Sequence, residues 1–464
     1  MLRTDFPQRR TLLLLCAFAA IGFLPAVFFY YVGEEAIFPI SSLEMWRKGI
    51  WLKQIMYGAN IQHNTLFNWV VMVTSAAFGW HHVLEVTRIL AIFFTLASAW
   101  ALYRLAKALY GEGNFPVFAA LSYLSLFDIS LYHGWLAYVD PFYSFLVFSA
   151  MALLWLAAKK ESLPLLASSL VVISASFLAK AFTAYVFYAG TVFVLLFEKS
   201  FRKFLVSPKS ILAAAVAAGF PLFWFSLIPS AGQGGRMFAE ILHKLELPGF
   251  FAYLKQLTGF PLEVLLRMSP LAILAVYYLL RGRVEKTGDR TFRFALAIGL
   301  VNLLPYWLSP QSGIRYIMPL YPFFALALSR MLWNTDRMQV VIRWMSGFLV
   351  LRFFCLLLLF PWYQSHYRGE NYYVTAQKII RIAKDQPLYI TDVSASGLSV
   401  TGYIDVQRLP ADPITFPPQQ WNSGYVIAYT QDPALGSLFA KFRLGGDEMY
   451  LLCRGSACGQ KIGQ

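Results

Sequence analysis

Residues 164–197 read PLLASSLVVISASFLAKAFTAYVFYAGTVFVLLF, an apolar stretch whose single charge is Lys180. As one helix at 1.5 Å per residue it would cover about 50 Å, against a bilayer hydrocarbon core of about 30 Å. A single span would also hold the Lys180 ammonium near mid-bilayer, costing about 2.5–3.5 kcal/mol even on a lenient insertion scale. Two short helices, 164–179 and 181–197, meeting near Lys180 remove both problems and carry the ammonium to the outer face. The stretch reads as a hairpin of two spans in a polytopic membrane protein.

The rest of the chain has the same character. Of 464 residues, 58% are apolar, 17% aromatic and only 14% charged, where soluble domains carry roughly 25%. That excludes a cytosolic enzyme, a disordered chain and a nucleic-acid binder. Further runs of spanning length lie at 11–31, 84–106, 114–130, 140–158, 211–229, 263–281, 292–308, 315–333 and 339–360, which with the hairpin makes eleven spans. With the N-terminus inside, Lys107, Lys159, Lys160, Lys199, Arg202, Lys203, Lys209, Arg281, Arg283, Lys286 and Arg290 fall in or beside cytoplasmic loops. This positive-inside bias accounts for most of the net charge of +15. The first run follows Arg3, Arg9 and Arg10 and continues to Tyr31 without a small-residue cleavage site, so it reads as an uncleaved span.

An odd number of spans leaves residues 361–464 outside. There the long apolar runs stop. Leu388–Thr391, Tyr425–Tyr429 and Met449–Leu452 read as short strands and Tyr372–Lys384 as a helix. The expected domains are a transmembrane catalytic domain, 1–360, with an outer loop at 32–83, and an extracytoplasmic α/β domain, 361–464. Cys453 and Cys458 are either free thiols or a small disulfide, the latter implying an oxidising compartment. Cys16 and Cys355 lie in apolar runs and read as packing thiols. In the outer loop Leu43, Trp46 and Ile50 follow helical spacing, with Glu44, Arg47 and Lys48 off that stripe. This amphipathic helix suits the headgroup layer, as a plain anchor or as a contact for anionic lipid or a phosphorylated substrate.

Function in such a chain is sought among ionisable groups at the outer ends of spans. These are Glu34, Glu35, His63, His81, His82, Glu85, Arg88, His133, Asp140, Lys180, Arg236, Glu240, His243 and Arg315. Two adjacent carboxylates directly after the first span suit a general base, or a metal ligand, beside a structural partner.

Six short motifs in order then resemble bacterial GT-C glycosyltransferases, in particular the protein O-mannosyltransferase and lipid A aminoarabinose transferase families. Gly33-Glu34-Glu35-Ala36 is similar to that group's Gly-Asp-Glu-Ala after the first span, with Glu in place of Asp. His63-Asn64-Thr65-Leu66-Phe67-Asn68-Trp69 falls where the group has Lys-Pro-Pro-Leu-Tyr-Tyr-Trp, and Arg88 follows in place. Ala137-Tyr138-Val139-Asp140-Pro141 resembles its Thr-Asp step, with Val for Thr. Phe177-Leu178-Ala179-Lys180-Ala181-Phe182 resembles its Leu-Thr-Lys-Gly-Pro break. Ser309-Pro310 leads to Arg315-Tyr316-Ile317-Met318-Pro319-Leu320-Tyr321-Pro322, close to its Arg-Tyr-x-x-Pro-x-x-Pro.

The resemblance implies transfer of a sugar from a polyprenyl-phosphate carrier, with inversion, at the periplasmic face of a bacterial inner membrane. The implied acceptor is lipid A, lipopolysaccharide or another envelope glycan, with membrane lipid around it. It gives Glu34 the role of base, with Glu35 and Asp140 beside it. Lys180, Arg315, His63 and Arg88 become ligands of the donor phosphate, where negative charge grows as the glycosidic bond breaks. A divalent metal ion on Glu240 and His243, or on the Glu34–Glu35 pair, is left open. The competing class is a transporter or flippase of lipid-linked sugar, for which paired interrupted helices are expected; one interruption is found, at Lys180.

Overall fold

The computed structural model describes residues 7–61, 64–111, 113–228, 246, 249–283 and 289–459. The protein is mostly helical with a small sheet. Among the described residues six helices are long and apolar enough to cross a membrane: Arg9–Phe28, Trp80–Tyr110, Asp140–Lys160, Pro208–Leu227, Arg290–Leu308 and Met338–Tyr367. The pair Phe250–Arg267 and Leu271–Leu280, bent by 103°, makes up to seven. Shorter apolar helices are Leu66–Phe78, Phe115–Leu124, Leu163–Ala179 and Thr183–Leu195.

Against the eleven expected spans stand six helices of spanning length, or seven with the bent pair, and three of the expected runs are visibly broken. The run 263–281 is broken where Pro270 lacks the N–H that would continue the helix. The run 114–130 holds a helix only over Phe115–Leu124, followed by a wide π-helical turn at Ile129–His133. The run 315–333 opens with a 3-10 segment, Ile314–Leu320, before the helix Tyr321–Trp333, because Pro319 and Pro322 interrupt the ladder. At Lys180 the length argument agrees with the structure. One helix ends at Ala179 and the next begins at Thr183. Hydrogen bonds Ser169–Tyr188 (2.9 Å) and Ser174–Tyr185 (3.5 Å) fix the pair as an antiparallel hairpin.

The chain divides into two compact units. The first comprises the described parts of Met1–Leu24, Ala91–Trp135 and Val139–Phe353. Its core is aromatic, with Trp135, Trp155, Tyr321 and Phe118 fully buried and Phe148 and Phe323 packed edge to face at 5.1 Å. Small residues let helices approach: a Cβ on Gly190 would collide with Asn302, whose amide donates to Thr191 at 3.4 Å.

The second unit comprises Pro25–Leu90, Leu136–Tyr138 and the described part of Phe354–Gln464. Its sheet runs in the order Leu388–Ile390, Gly424–Ala428, Asp447–Arg454, Ser437–Leu444, the first pair parallel and the others antiparallel. The helices Tyr372–Ala383 and Ala395–Gln407 belong to it, and Cys453 and Cys458 are joined in a disulfide. One core is shared by Tyr31 at the end of the first apolar run, by Ile40 and Tyr57 from the outer loop and by Ile379, Ile404, Ile427 and Leu451 from the tail. Asp405 is buried there, one carboxyl oxygen accepting from the Ile414 N–H at 2.8 Å.

The amphipathic helix is Ile37–Arg47. Leu43 faces inward and Trp46 outward, but Glu44, expected off the apolar stripe, is fully buried. The reason is its partners: Glu44 Oε1 accepts from the Gly58 N–H at 2.9 Å and from Lys48 Nζ at 2.6 Å. Those contacts replace part of the water a buried carboxylate loses, while Oε2 has no hydrogen-bond partner among the described residues.

Candidate active site

In the second unit the site begins where the first span ends. The 3-10 turn Leu24–Phe28 and the bend after it leave carbonyls without helical partners. Arg88 answers them. Its Nη1 donates to Phe29 O (2.5 Å) and Ala26 O (3.1 Å), its Nη2 to Tyr30 O (2.7 Å). The same guanidinium grips Glu35 through Nε at 3.0 Å and Nη2 at 2.6 Å, with both side chains fully buried. Glu35 also accepts from the N–H groups of Val32 and Ala137, each at 2.7 Å. Every oxygen of this carboxylate is thus committed, and it acts as a clamp on the turn. Arg88, expected to receive phosphate, is enclosed for the same reason and serves the carbonyls instead.

The clamp leaves Glu34 exposed at the tip of the turn. Its backbone N–H donates to Tyr138 OH at 3.2 Å. Gly33 adopts φ +58°, and a Cβ there would stand 2.8 Å from the same hydroxyl. Glycine is required on both counts. The chain direction at Glu34 is therefore set by its two neighbours, Gly33 and Glu35.

The first unit carries the cationic constellation. Asp140 opens the helix Asp140–Lys160, with Pro141 following, a position where the helix dipole favours a carboxylate. It is ion-paired with Lys180, the residue at the break of the hairpin. The Lys180 ammonium stands 4.9 Å from the ring centroid of Tyr316 and 5.6 Å from that of Tyr143. Arg315 lies over the same Tyr316 ring, 5.4 Å from its centroid. The Arg315 guanidinium also acts electrostatically on Asp140. Thr183, the first residue of the second hairpin helix, is bonded to Tyr143 OH at 3.0 Å. The site thus holds two cations and a carboxylate around an aromatic pair. Beginning at Phe182, two residues past Lys180, an open apolar groove of about 680 Å³ runs between the helices that carry Tyr185, Gly190, Phe193, Val301 and Pro305.

Solved structures share this arrangement of elements. ArnT from Cupriavidus metallidurans in the apo state aligns with a TM-score of 0.69 at 12% identity, covering 97% of this chain and 98% of that one. The same protein bound to undecaprenyl phosphate aligns with the same score and identity over 97% and 99%. The fold is that of GT-C glycosyltransferases. An oligosaccharyltransferase from Archaeoglobus fulgidus, in complex with Zn and sulfate, also aligns, with a TM-score of 0.52 at 13% identity, over 90% of this chain and 67% of its own. No protein-family model and no curated protein sequence matches the chain.

Within the GT-C fold the expected site residues are distributed as follows. Asp140, Lys180 and Arg315 come together in one unit. Glu34, Glu35 and Arg88 come together in the other. His63, Glu240 and His243, with Arg236 and Lys286, lie outside the described residues. Among the described residues no three His, Cys, Asp or Glu side chains are grouped to hold a metal ion. One buried network was not foreseen. Asp128 is fully buried and accepts from Arg267 Nη1 at 2.5 Å, Tyr321 OH at 2.9 Å and His133 Nδ1 at 2.8 Å. The available signal was a carboxylate inside an apolar run.

Proposed function

We propose that this chain is a multi-pass membrane enzyme that takes a sugar from a polyprenyl-phosphate carrier and passes it to lipid A, lipopolysaccharide or another envelope glycan. The observation that carries the reading is the Lys180–Arg315 pair beside Asp140, with an apolar groove starting two residues beyond Lys180. A lipid phosphate needs both parts: cations for its head and a non-polar slot for its tail. The likeness in fold to an ArnT that binds undecaprenyl phosphate supports the same reading.

In this mechanism Lys180 and Arg315 receive the donor phosphate, and their charge stabilises it as the bond between the sugar carbon and the phosphate oxygen breaks. The electron pair stays on that oxygen. Asp140 holds the Lys180 ammonium in place and limits its freedom before substrate arrives. The Tyr143 and Tyr316 faces keep the cation close without neutralising it. Glu34, exposed and backed by the Glu35–Arg88 clamp, takes the proton from the acceptor hydroxyl as that oxygen bonds to the sugar from the opposite side, inverting the centre. The reading includes eleven spans, a cytoplasmic N-terminus, an inner-membrane location and a periplasmic site and tail. The Cys453–Cys458 disulfide supports an oxidising compartment for the tail.

The test is mass spectrometry of envelope lipids and glycans from a deletion strain, followed by transfer assays with purified chain. One sugar missing from the strain, restored by wild type and not by Glu34→Ala, is the expected result. An unchanged envelope, or full transfer by Glu34→Ala, would remove the reading. A flippase of lipid-linked sugar has no transfer in detergent to lose.

A further inference from the structure

Among the described residues two arginine side chains are fully buried, Arg88 and Arg352. Arg88 directs its donors to a carboxylate and a row of carbonyls. Arg352, in the helix Met338–Phe354, has no hydrogen-bond partner at Nε, Nη1 or Nη2. Its position is nonetheless closely fixed. The guanidinium carbon stands 4.0 Å from the ring centroid of Phe23, and a Cβ on Gly22 would come 3.1 Å from Nη2 and 3.3 Å from Cζ. Glycine at the end of the helix Arg9–Ile21 thus leaves the space in which the guanidinium lies. The carbonyls of that helix end keep their backbone partners: Phe18 O accepts from the Gly22 N–H at 2.9 Å and Ala20 O from the Phe23 N–H at 3.2 Å. Arginine stays protonated in proteins. The Phe23 face and the negative end of the helix dipole both favour the charge. Neither accepts its five N–H groups, and a buried charge without hydrogen-bonding partners is costly.

The height of the site narrows the ligand. Arg352 lies 14 residues beyond Met338, and Gly22 13 beyond Arg9, which at 1.5 Å per residue puts both about 20 Å along their helices. In a hydrocarbon core of about 30 Å that is about 10 Å short of the surface at which the first helix ends. A long arginine stem covers much of that distance and carries its head toward the phosphate layer. Ile21, Leu24 and Leu351, close in sequence to Gly22 and Arg352, are exposed apolar side chains, as on a lipid-facing surface. The groove assigned to the carrier is elsewhere. Its lining comes from Phe182 and from the helices Thr183–Leu195, Pro208–Leu227 and Arg290–Leu308, and includes neither Arg352 nor Phe23. The anion that meets these donors from the lipid side is a phospholipid phosphate, and the planar guanidinium fork matches two of its oxygens. A headgroup of net negative charge is favoured over a zwitterion, whose own ammonium competes for the phosphate.

We propose that Arg352, seated over Phe23 in the space left by Gly22, binds the phosphate of an anionic phospholipid and so ties the first long helix to the last. Rotation about the stem torsions turns its N–H edge from Phe23 toward the headgroup. The inference needs the chain to lie in a membrane and is independent of the sugar chemistry. Its test is thermal unfolding of the full chain, stripped of lipid in detergent and titrated with dioleoylphosphatidylglycerol, dioleoylphosphatidylcholine or farnesyl phosphate. Wild type, Arg352→Met, Arg352→Lys and Lys180→Ala are compared. The expected result is that phosphatidylglycerol raises the melting temperature of wild type and phosphatidylcholine does not. Without lipid, Arg352→Met melts at or above wild type, because methionine fills much of the space and removes a buried charge that no group accepts. Its midpoint concentration for phosphatidylglycerol rises at least tenfold. Arg352→Lys, which keeps the charge and loses the fork, falls between them. Farnesyl phosphate still stabilises Arg352→Met and loses its effect in Lys180→Ala. Arg352→Met melting well below wild type without lipid, or failing to fold, would make Arg352 a brace of the helix end and overturn the inference. So would an equal response of Arg352→Met and wild type to phosphatidylglycerol, or of wild type to the two phospholipids. Loss of the farnesyl phosphate response in Arg352→Met, with that to phosphatidylglycerol kept, would assign the site to the carrier and overturn the phospholipid. If farnesyl phosphate stabilises Lys180→Ala as it does wild type, the reading of Lys180 fails and this inference stands.

Discussion

Glu35→Ala tests the division of labour between the adjacent carboxylates. Removing Glu35 strands the Arg88 guanidinium, which is fully buried, and breaking a buried ion pair from one side costs about 3–5 kcal/mol. The N–H groups of Val32 and Ala137 lose their acceptor as well, at about 1–3 kcal/mol for each buried group left unpaired. These losses overlap, so the net expectation is on the order of 4–5 kcal/mol. In a chain of this size that lowers the melting temperature by about 4–5 °C. Glu34→Ala removes an exposed side chain and should stay within about 0.5 kcal/mol of wild type. Thermal unfolding in detergent, followed by tryptophan fluorescence, reads both variants, and transfer activity is measured well below either transition. The expected pattern is Glu34→Ala stable and inactive, Glu35→Ala unstable. Arg88→Met in the Glu35→Ala background should cost less than the sum of the two single changes, because the stranded charge is gone. Melting of Glu35→Ala together with wild type would refute the clamp, and so would a larger loss in Glu34→Ala than in Glu35→Ala.

Three further expectations are independent of it. Lys180→Ala should weaken binding of a polyprenyl phosphate at least tenfold, measured by displacement in detergent, and the loss should shrink at high salt if charge is the cause. Gly33→Ala forces a side chain onto φ +58° and against Tyr138 OH; a loss of about 1–2 kcal/mol in thermal stability and a fall in transfer are expected, whereas Gly49→Ala, with nothing near its Cβ, carries the backbone penalty alone. Asp405 lies buried, next to the Glu44 charge and despite Arg408 and the Ile414 N–H, with its pKa pushed up to about 8. The folded state therefore keeps a proton between about pH 4 and pH 8 that the unfolded chain releases. Stability falls as pH rises through that window and the penalty is complete above it. Asp405→Asn should melt higher than wild type at pH 8.5, with the two converging near pH 4.5, as read by pH-dependent thermal scans.

The parts of this fold that were legible in the sequence are those where length alone decides. The stretch 164–197 cannot be one span, and the break falls at its only charge. The parts that were not legible depend on what a charge meets in three dimensions. Arg88 near an outer helix end looks the same whether it awaits a phosphate or closes a turn, because its partners are backbone carbonyls of Ala26, Phe29 and Tyr30, which carry no side-chain signal. Glu44 falls off the apolar stripe, and its burial depends on a loop N–H at Gly58 that the helical spacing does not show. Asp128 disappeared into the average of an apolar run, although its three donors come from residues at 133, 267 and 321. The strand Ser437–Leu444 was missed because it sits at the edge of the sheet and only its last residue is buried. Of the candidate site, Asp140, Lys180 and Arg315 stand out in the sequence by type and place. That Lys180 and Arg315 share the Tyr316 ring while Asp140 pairs with Lys180 required the fold.

The Glu35–Arg88 pair also bears on how the chain is made. Its two members emerge from the ribosome 53 residues apart, one just after the first apolar helix and one within Trp80–Tyr110. Until the later helix is in place, Glu35 has no guanidinium and the carbonyls of the turn have no donor. The turn that presents Glu34 therefore acquires its shape only after the second long helix has been inserted, so a defect at Arg88 is expected to appear first as failed biogenesis, with chain lost to membrane proteolysis.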